Sequence, residues 1–153
     1  MKKLYCFNCN MDVEPISNLQ NNSYIVHKQQ VQIKEMVHKC PICNNELFDE
    51  NLNNSLYDIY NEYLNLYDLS FSKLKEIRES YNLSQDLFAK SLGWSKRSIV
   101  RYENADSLPQ KQYLITYKKI ENNKSEFINI IKANRQSLGE DLYFKIFDMV
   151  NAE

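Results

Sequence analysis

The sequence predicts an α+β protein, a small β-sheet region followed by an all-α region, and three observations carry that expectation. Four cysteines fall into two C-x2-C pairs, Cys6/Cys9 and Cys40/Cys43, separated by thirty residues. Between the pairs, apolar and polar residues alternate with a period near two, the pattern of a half-buried strand. From about residue 50 onward apolar residues recur at three- and four-residue steps, and Ser, Asn and Gly punctuate the segments. The 153 residues allow one ordinary domain or two small ones. With 43% hydrophobic and 25% charged residues the composition is globular rather than disordered.

Several classes are excluded at this level. No apolar run approaches membrane-spanning length. The start, Met1-Lys2-Lys3-Leu4-Tyr5-Cys6, has no apolar stretch behind its charges, so a secretory signal is not expected. A cytoplasmic setting follows, in which a disulfide framework is not expected. Only two glycines, Gly93 and Gly139, are present, too few for a phosphate-cradling loop or a dinucleotide fingerprint. An enzyme needs a nucleophile–base set or an open metal site, and the two isolated histidines, His27 and His38, supply neither.

Charge is unevenly distributed. The net charge of −1 conceals +2 over residues 1–45, −6 over 46–70, +3 over 71–104 and zero over 105–153. An acidic connector thus precedes a basic module.

Taking the elements in order, the cysteine pairs come first. Two-residue spacing lets both thiolates of a pair reach one ion from a tight turn, and two such turns complete a tetrahedral four-sulfur site suited to zinc. Asn10 and Asn44, each directly after a second Cys, tolerate the left-handed backbone that such a turn needs. Cys6, Cys9, Cys40 and Cys43 are therefore the candidate ligands of one structural Zn²⁺, with iron a chemically allowed occupant. His27 and His38 read as surface or strand residues, because four thiolates already fill the coordination shell. A strand is expected over Asp12–Leu19, edged by Pro15. A turn is expected at Asn21-Asn22-Ser23. A strand follows at Tyr24–Lys28, then a turn at Gln29-Gln30 and an alternating strand from Val31 to His38.

Residues 50–69 read as a helical connector with an apolar stripe of Leu52, Leu56, Ile59, Tyr60, Tyr63 and Tyr67. In the next segment Leu74, Ile77 and Tyr81 share one helical face. Ser84 can cap a second helix whose inner face is Phe88, Ala89 and Leu92, and Gly93 suits the left-handed residue that ends it. Ser95 can cap a third helix running to about Glu103. Two short helices joined by a tight Gly-containing turn form a helix-turn-helix. Ile99 and Tyr102 point to the core, leaving Lys96, Arg97, Val100 and Arg101 outside. Arg97 and Arg101, four apart, share one face from which guanidinium groups can bond guanine edges in a major groove. Gln85, Ser95 and Ser98 are placed to donate to phosphates. These residues, with Lys96, are the candidate DNA contacts.

The chain stays helical afterwards. Ser107-Leu108-Pro109-Gln110 resembles a capping box opening a helix with the stripe Tyr113, Leu114, Tyr117 and Ile120. Asn122-Asn123 breaks it, a short helix carries Phe127 to Ile131, and Ser137-Leu138-Gly139-Glu140 opens the last by the same capping rule.

Residues 72–109 resemble the lambda-repressor-like (XRE) helix-turn-helix. Leu83-Ser84-Gln85, Ala89, Gly93, Ser95, Ile99 and Arg101-Tyr102-Glu103-Asn104 match its pattern. Leu87 and Ser91 exchange polar and apolar types relative to that pattern, and Ala105 stands where Gly is common, which alters the exit turn. A four-cysteine clip ahead of such a domain resembles the MqsA-type antitoxins with their YgiT-type zinc finger, over about residues 1–110. The resemblance implies a structural zinc domain that binds a cognate toxin. It also implies a homodimeric domain that represses its own operon at a palindromic double-stranded DNA operator. It does not assign the toxin-facing surface. The expected organisation is a zinc-binding β domain over 1–48, an acidic helical linker over 49–70, the DNA-binding domain over 71–123 and C-terminal helices over 124–153. Half-sites about one helical turn apart are expected. A stand-alone XRE-family regulator with a structural or metal- or redox-responsive zinc site is the alternative.

Overall fold

Two antiparallel sheets build the N-terminal part of the chain. In the computed structural model, which describes residues 2–49 and 55–152, β1 (Leu4–Cys6) pairs with β2 (Met11–Val13). A second sheet runs β3 (Ile16–Val26), β4 (Gln29–Lys39), β5 (Glu46–Leu47) in that order. The single strand expected over Asp12–Leu19 is two strands parted at Glu14-Pro15, where proline can donate nothing to a ladder. β3 and β4, eleven residues each, form a hairpin with a two-residue loop, His27-Lys28, both at positive φ (47° and 67°). That loop lies two residues before the turn expected at Gln29-Gln30. A two-residue hairpin whose twist matches its strands needs left-handed backbone at both positions, and His is among the residues that reach it more readily. Asn21, Asn22 and Ser23 do not turn; they pair with Lys34, Ile33 and Gln32. The Asn22 side chain instead donates across the ladder to Glu35, as does the Tyr24 hydroxyl.

The apolar centre at the cysteine end is small: Leu4, Cys6, Val13, Cys40 and Leu47 are buried, with Cys9 and Cys43 packed against them. Helix α1 (Ser55–Asn65) follows. Of its expected stripe, Ile59 and Tyr63 are buried, Tyr60 is half-buried and Leu56 is exposed. Tyr67 lies beyond the helix, and Leu52 lies outside the described residues. The chain divides into two compact units, residues 1–63 and 64–153.

The second unit is all helical: α2 (Phe71–Ser80), α3 (Gln85–Leu92), α4 (Lys96–Glu103), α5 (Lys111–Ile120), α6 (Lys124–Ala133), the one-turn α7 (Arg135–Leu138) and α8 (Glu140–Asn151). Its core includes an aromatic cluster in which the rings of Tyr81 and Phe127 lie 4.3 Å apart and those of Phe88 and Phe127 5.8 Å apart. Polar ties add to it. Asn134 Nδ2 donates to the Ser91 carbonyl at 3.0 Å, bracing α3 from the C-terminal side. Ser91, fully buried where the family pattern is apolar, directs its hydroxyl to the Leu87 carbonyl one turn back at 2.7 Å, which satisfies a buried donor. α5 begins at Lys111, with Gln110 before it and no side-chain cap. α8 begins after Gly139, also without a side-chain cap. There Glu140 is engaged by Arg135, at 2.9 and 2.8 Å, rather than reaching back as a capping box requires. Ser137 lies inside α7. No helix among the described residues is long and apolar enough to cross a membrane.

At the exit of α4, Asp106 N–H bonds the Arg101 carbonyl at 2.9 Å and Ala105 N–H that of Tyr102 at 3.3 Å. This is the paired closure of a helix end that places its turning residue in left-handed backbone. That residue is Ala105, at φ 59°. Left-handed backbone costs a residue with a Cβ roughly 1–2 kcal/mol, part of which a glycine returns through a freer unfolded chain. Ala105→Gly is expected to stabilise the helical unit by about 1 kcal/mol, read as a rise in its thermal midpoint, with the register of α4 unchanged.

Candidate nucleic-acid interface and metal centre

Three capping signals set the two central helices. Ser84 Oγ accepts from Leu87 N–H at 3.2 Å and opens α3. Gly93, at φ 73°, closes it: Trp94 N–H bonds the Ala89 carbonyl at 2.8 Å and Gly93 N–H that of Lys90 at 3.2 Å. Ser95 Oγ accepts from Ser98 N–H at 3.1 Å and opens α4. In the turn between them the ring of Trp94 meets Tyr113 edge-on at 4.6 Å and Tyr117 at 5.3 Å. Ile99 and Tyr102 are buried, so α4 has one fixed inner face. Lys96, Arg97 and Arg101 are exposed, Val100 is half-buried, and Ser98 is half-buried beside its bonded Ser95.

α4 is held from below by a charged fork. Arg78 of α2 donates through Nε and Nη2 to the two carboxylate oxygens of Glu103, each at 2.8 Å, and through Nη1 to the Leu83 carbonyl at 2.8 Å. The Glu103 partner raises the Arg78 guanidinium above its ordinary pKa. Gln85, at the start of α3, donates to the same carboxylate at 3.3 Å. The Gln85 amide is thus engaged inside the protein, while Ser95 and Ser98 share a hydroxyl contact at 2.9 Å at the start of α4.

Several cations of the helical unit are paired. Lys90 is paired with Asp86, Lys73 and Lys118 with Glu121, Lys119 with Glu126, and Arg135 with Glu140. Among the described residues no ion pair engages Lys96, Arg97 or Arg101. The outer face of α4 is a ridge of uncompensated cations. Asn104, the exposed residue that ends α4, and exposed Lys111 at the start of α5 also carry no ion pair or side-chain bond. In the sequence Asn104 is read only as a position of the helix-turn-helix pattern, and Lys111 is not singled out.

At the other end of the chain the sequence pattern and the geometry coincide. The Sγ atoms of Cys6, Cys9, Cys40 and Cys43 all lie within 4.8 Å of one another, with Cys6–Cys43 at 3.5 Å and Cys9–Cys40 at 3.8 Å. A four-sulfur tetrahedron with metal–sulfur bonds of about 2.3 Å has edges of about 3.8 Å, so the donor set fits a single tetrahedral ion. Asn10 and Asn44 stand at φ 55° and 63°. The second turn is closed by Asn44 N–H to the Cys40 carbonyl and Cys40 N–H to that of Asn45, each at 2.9 Å. Ile42 N–H points at Cys40 Sγ at 3.4 Å, a donor suited to a thiolate. A backbone hydrogen bond at Asn45 and the Asn8 side chain pull the Cys43 thiol down to about 6. Cys9, hydrogen-bonded to Cys43 and crowded by the other sulfurs, is pushed up to about 12. Four adjacent thiols cannot all ionise unless a cation compensates them. His38 is buried in β4 and bonds Ser17 through Nδ1 at 2.6 Å; His27 lies in the hairpin loop, its ring 5.5 Å from that of Tyr63.

Residues 74–118 match the helix-turn-helix family model, a stretch running from α2 through α5. No curated protein gives a significant match to the chain. The chain therefore carries an XRE-type helix-turn-helix domain, the module of a DNA-binding regulator, behind a four-cysteine cluster that could hold a metal ion.

Proposed function

We propose that the protein is a sequence-specific transcriptional repressor, not an enzyme, that binds a palindromic operator as a homodimer. In this reading it is the antitoxin of a type II toxin–antitoxin system, controlling its own operon and binding its toxin. The observation that carries the DNA reading is the ridge of unpaired cations Lys96, Arg97 and Arg101 on the outer face of one rigid capped helix, inside the stretch that matches the helix-turn-helix family. Arg97 and Arg101 read base edges; Ser95, Lys96 and Ser98 contact phosphates; Gln85 donates to a phosphate with whatever its bond to Glu103 leaves free. The cysteine cluster holds one zinc ion in a closed, structural site. The antitoxin reading is supported by the order of the two modules and by Phe7, Ile42 and Phe48, large apolar side chains exposed at the metal end where a protein partner would cover them.

Arg97→Ala and Arg101→Ala are each expected to lower affinity for the promoter of the protein's own operon by about 10- to 100-fold. Affinity for unrelated DNA should fall far less, and the fold should be unchanged. Fluorescence anisotropy of labelled duplexes measures both, and unchanged binding in both variants would remove the assigned role. Co-purification with the product of the neighbouring gene tests the antitoxin reading. A regulator that elutes alone, with operator affinity that changes with metal or oxidant, favours the metal- or redox-responsive reading; half-exposed Cys9 and Cys43 make the site reachable by either.

A further inference from the structure

We propose that Val100 is a specificity-determining residue that contacts the 5-methyl group of a thymine beside the guanines read by Arg97 and Arg101. This rests on the DNA-reading role of α4 argued above. α4 turns Ile99 (0% exposed) and Tyr102 (7%) into the core. The opposite face carries Arg97 and Arg101, one turn apart, with Val100 on the flank of that ridge, three residues after Arg97 and next to Arg101.

Every other outward residue of the helix, Lys96, Arg97, Ser98 and Arg101, is charged or polar. Val100 is the exception and is only half-buried, so the core takes up part of its surface and leaves the rest at the ridge. A β-branched residue is a weak helix former, and its stiff χ1 holds its methyls in one place. Among base edges in the major groove the thymine methyl is the one apolar group. A stiff apolar side chain flanking the two guanidinium groups matches that edge and no other. The ridge cannot roll to take Val100 away, because Ser95 caps one end of α4 and the Arg78–Glu103 fork holds the other.

The test is selection from a randomised duplex pool with the full-length protein and with Val100→Ala. The wild type is expected to enrich a thymine at one position beside a guanine. Replacing that thymidine by deoxyuridine, which deletes only the methyl, should weaken binding about fourfold, the effect of one buried apolar carbon. Val100→Ala should lose the preference at that position alone and bind the thymine and uracil duplexes equally. Val100→Ser, which carries a polar group and no methyl, gives the same reading if the alanine variant folds poorly. A thymine preference and uracil penalty that survive in the folded variants overturn the proposal, as does a wild-type site indifferent to the methyl. If the wild type enriches no sequence, the DNA-reading role itself fails, an outcome distinct from the loss of one base preference.

Discussion

A strong zinc chelator is expected to unfold the cysteine end of the N-terminal unit while the helical unit keeps its structure. The reason is the size of what remains without metal. β1 and β2 are three residues each, β5 is two, and the buried apolar set beside them is Leu4, Val13 and Leu47 plus the cysteines themselves. A core of that size cannot offset the ordering of its backbone. A structural zinc site supplies about 10–16 kcal/mol in small domains, and folding there is binding. Without the ion, the four sulfurs held within 4.8 Å are crowded thiols rather than a linkage. The β3–β4 hairpin needs no metal for its register, yet a two-stranded ribbon is marginal by itself. The amide spectrum of the zinc-loaded protein should therefore lose dispersion for residues 4–47, while the emission of Trp94, packed on Tyr113 and Tyr117 inside the helical unit, stays unchanged. Cys40→Ser should act in the same direction. Loading releases thiol protons, so metal affinity should fall as pH is lowered. Undiminished dispersion after metal removal would show that the sheets stand without it.

Signals confined to a few neighbouring residues were legible. Cys-x2-Cys with a following Asn encodes a tight turn and its left-handed exit together, and both turns have that form. Ser84, Gly93 and Ser95 encode helix ends through bonds reaching three to five residues, and each bond is present. Ala105 was legible as a departure, but the altered exit turn expected from it is not found: Ala105 takes the left-handed backbone itself and the paired closure is kept. The hairpin was less legible: Asn21–Ser23 has the composition of a turn, but pairing with β4 and the Glu35 bonds outweigh that local preference. The start of α8 misled for the same reason, since Glu140 finds a stronger partner in Arg135 than its own backbone. Gln85 reads as a phosphate donor from its place at a helix start. Its bond to Glu103, eighteen residues away, has no signature in the sequence.

The same invisibility covers the contact with the largest expected effect in the helical unit. Glu103→Gln is expected to destabilise that unit by about 3–5 kcal/mol. Arg78 and Glu103 are twenty-five residues apart, their side chains 11% and 3% exposed, and they meet through two parallel bonds of 2.8 Å. Glutamine keeps the shape and one acceptor but leaves the guanidinium with only the exposed Glu79 carboxylate, 3.9 Å away, as counter-charge. Removing one member of such a pair costs far more than the pair itself contributes. For a unit of this size each kcal/mol moves the thermal midpoint by about 4–8 °C, so the loss should exceed about 10 °C in a melt followed by Trp94 emission. Joint replacement by apolar residues, Arg78→Met with Glu103→Leu, should recover most of it, because no charge is then stranded. The fork also fixes how α4 sits on α2, so the double variant should fold yet bind operator more weakly than the wild type. A single Glu103→Gln that melts within a degree or two of the wild type would mean that solvent reaches the Arg78 charge and that α4 is held by packing alone.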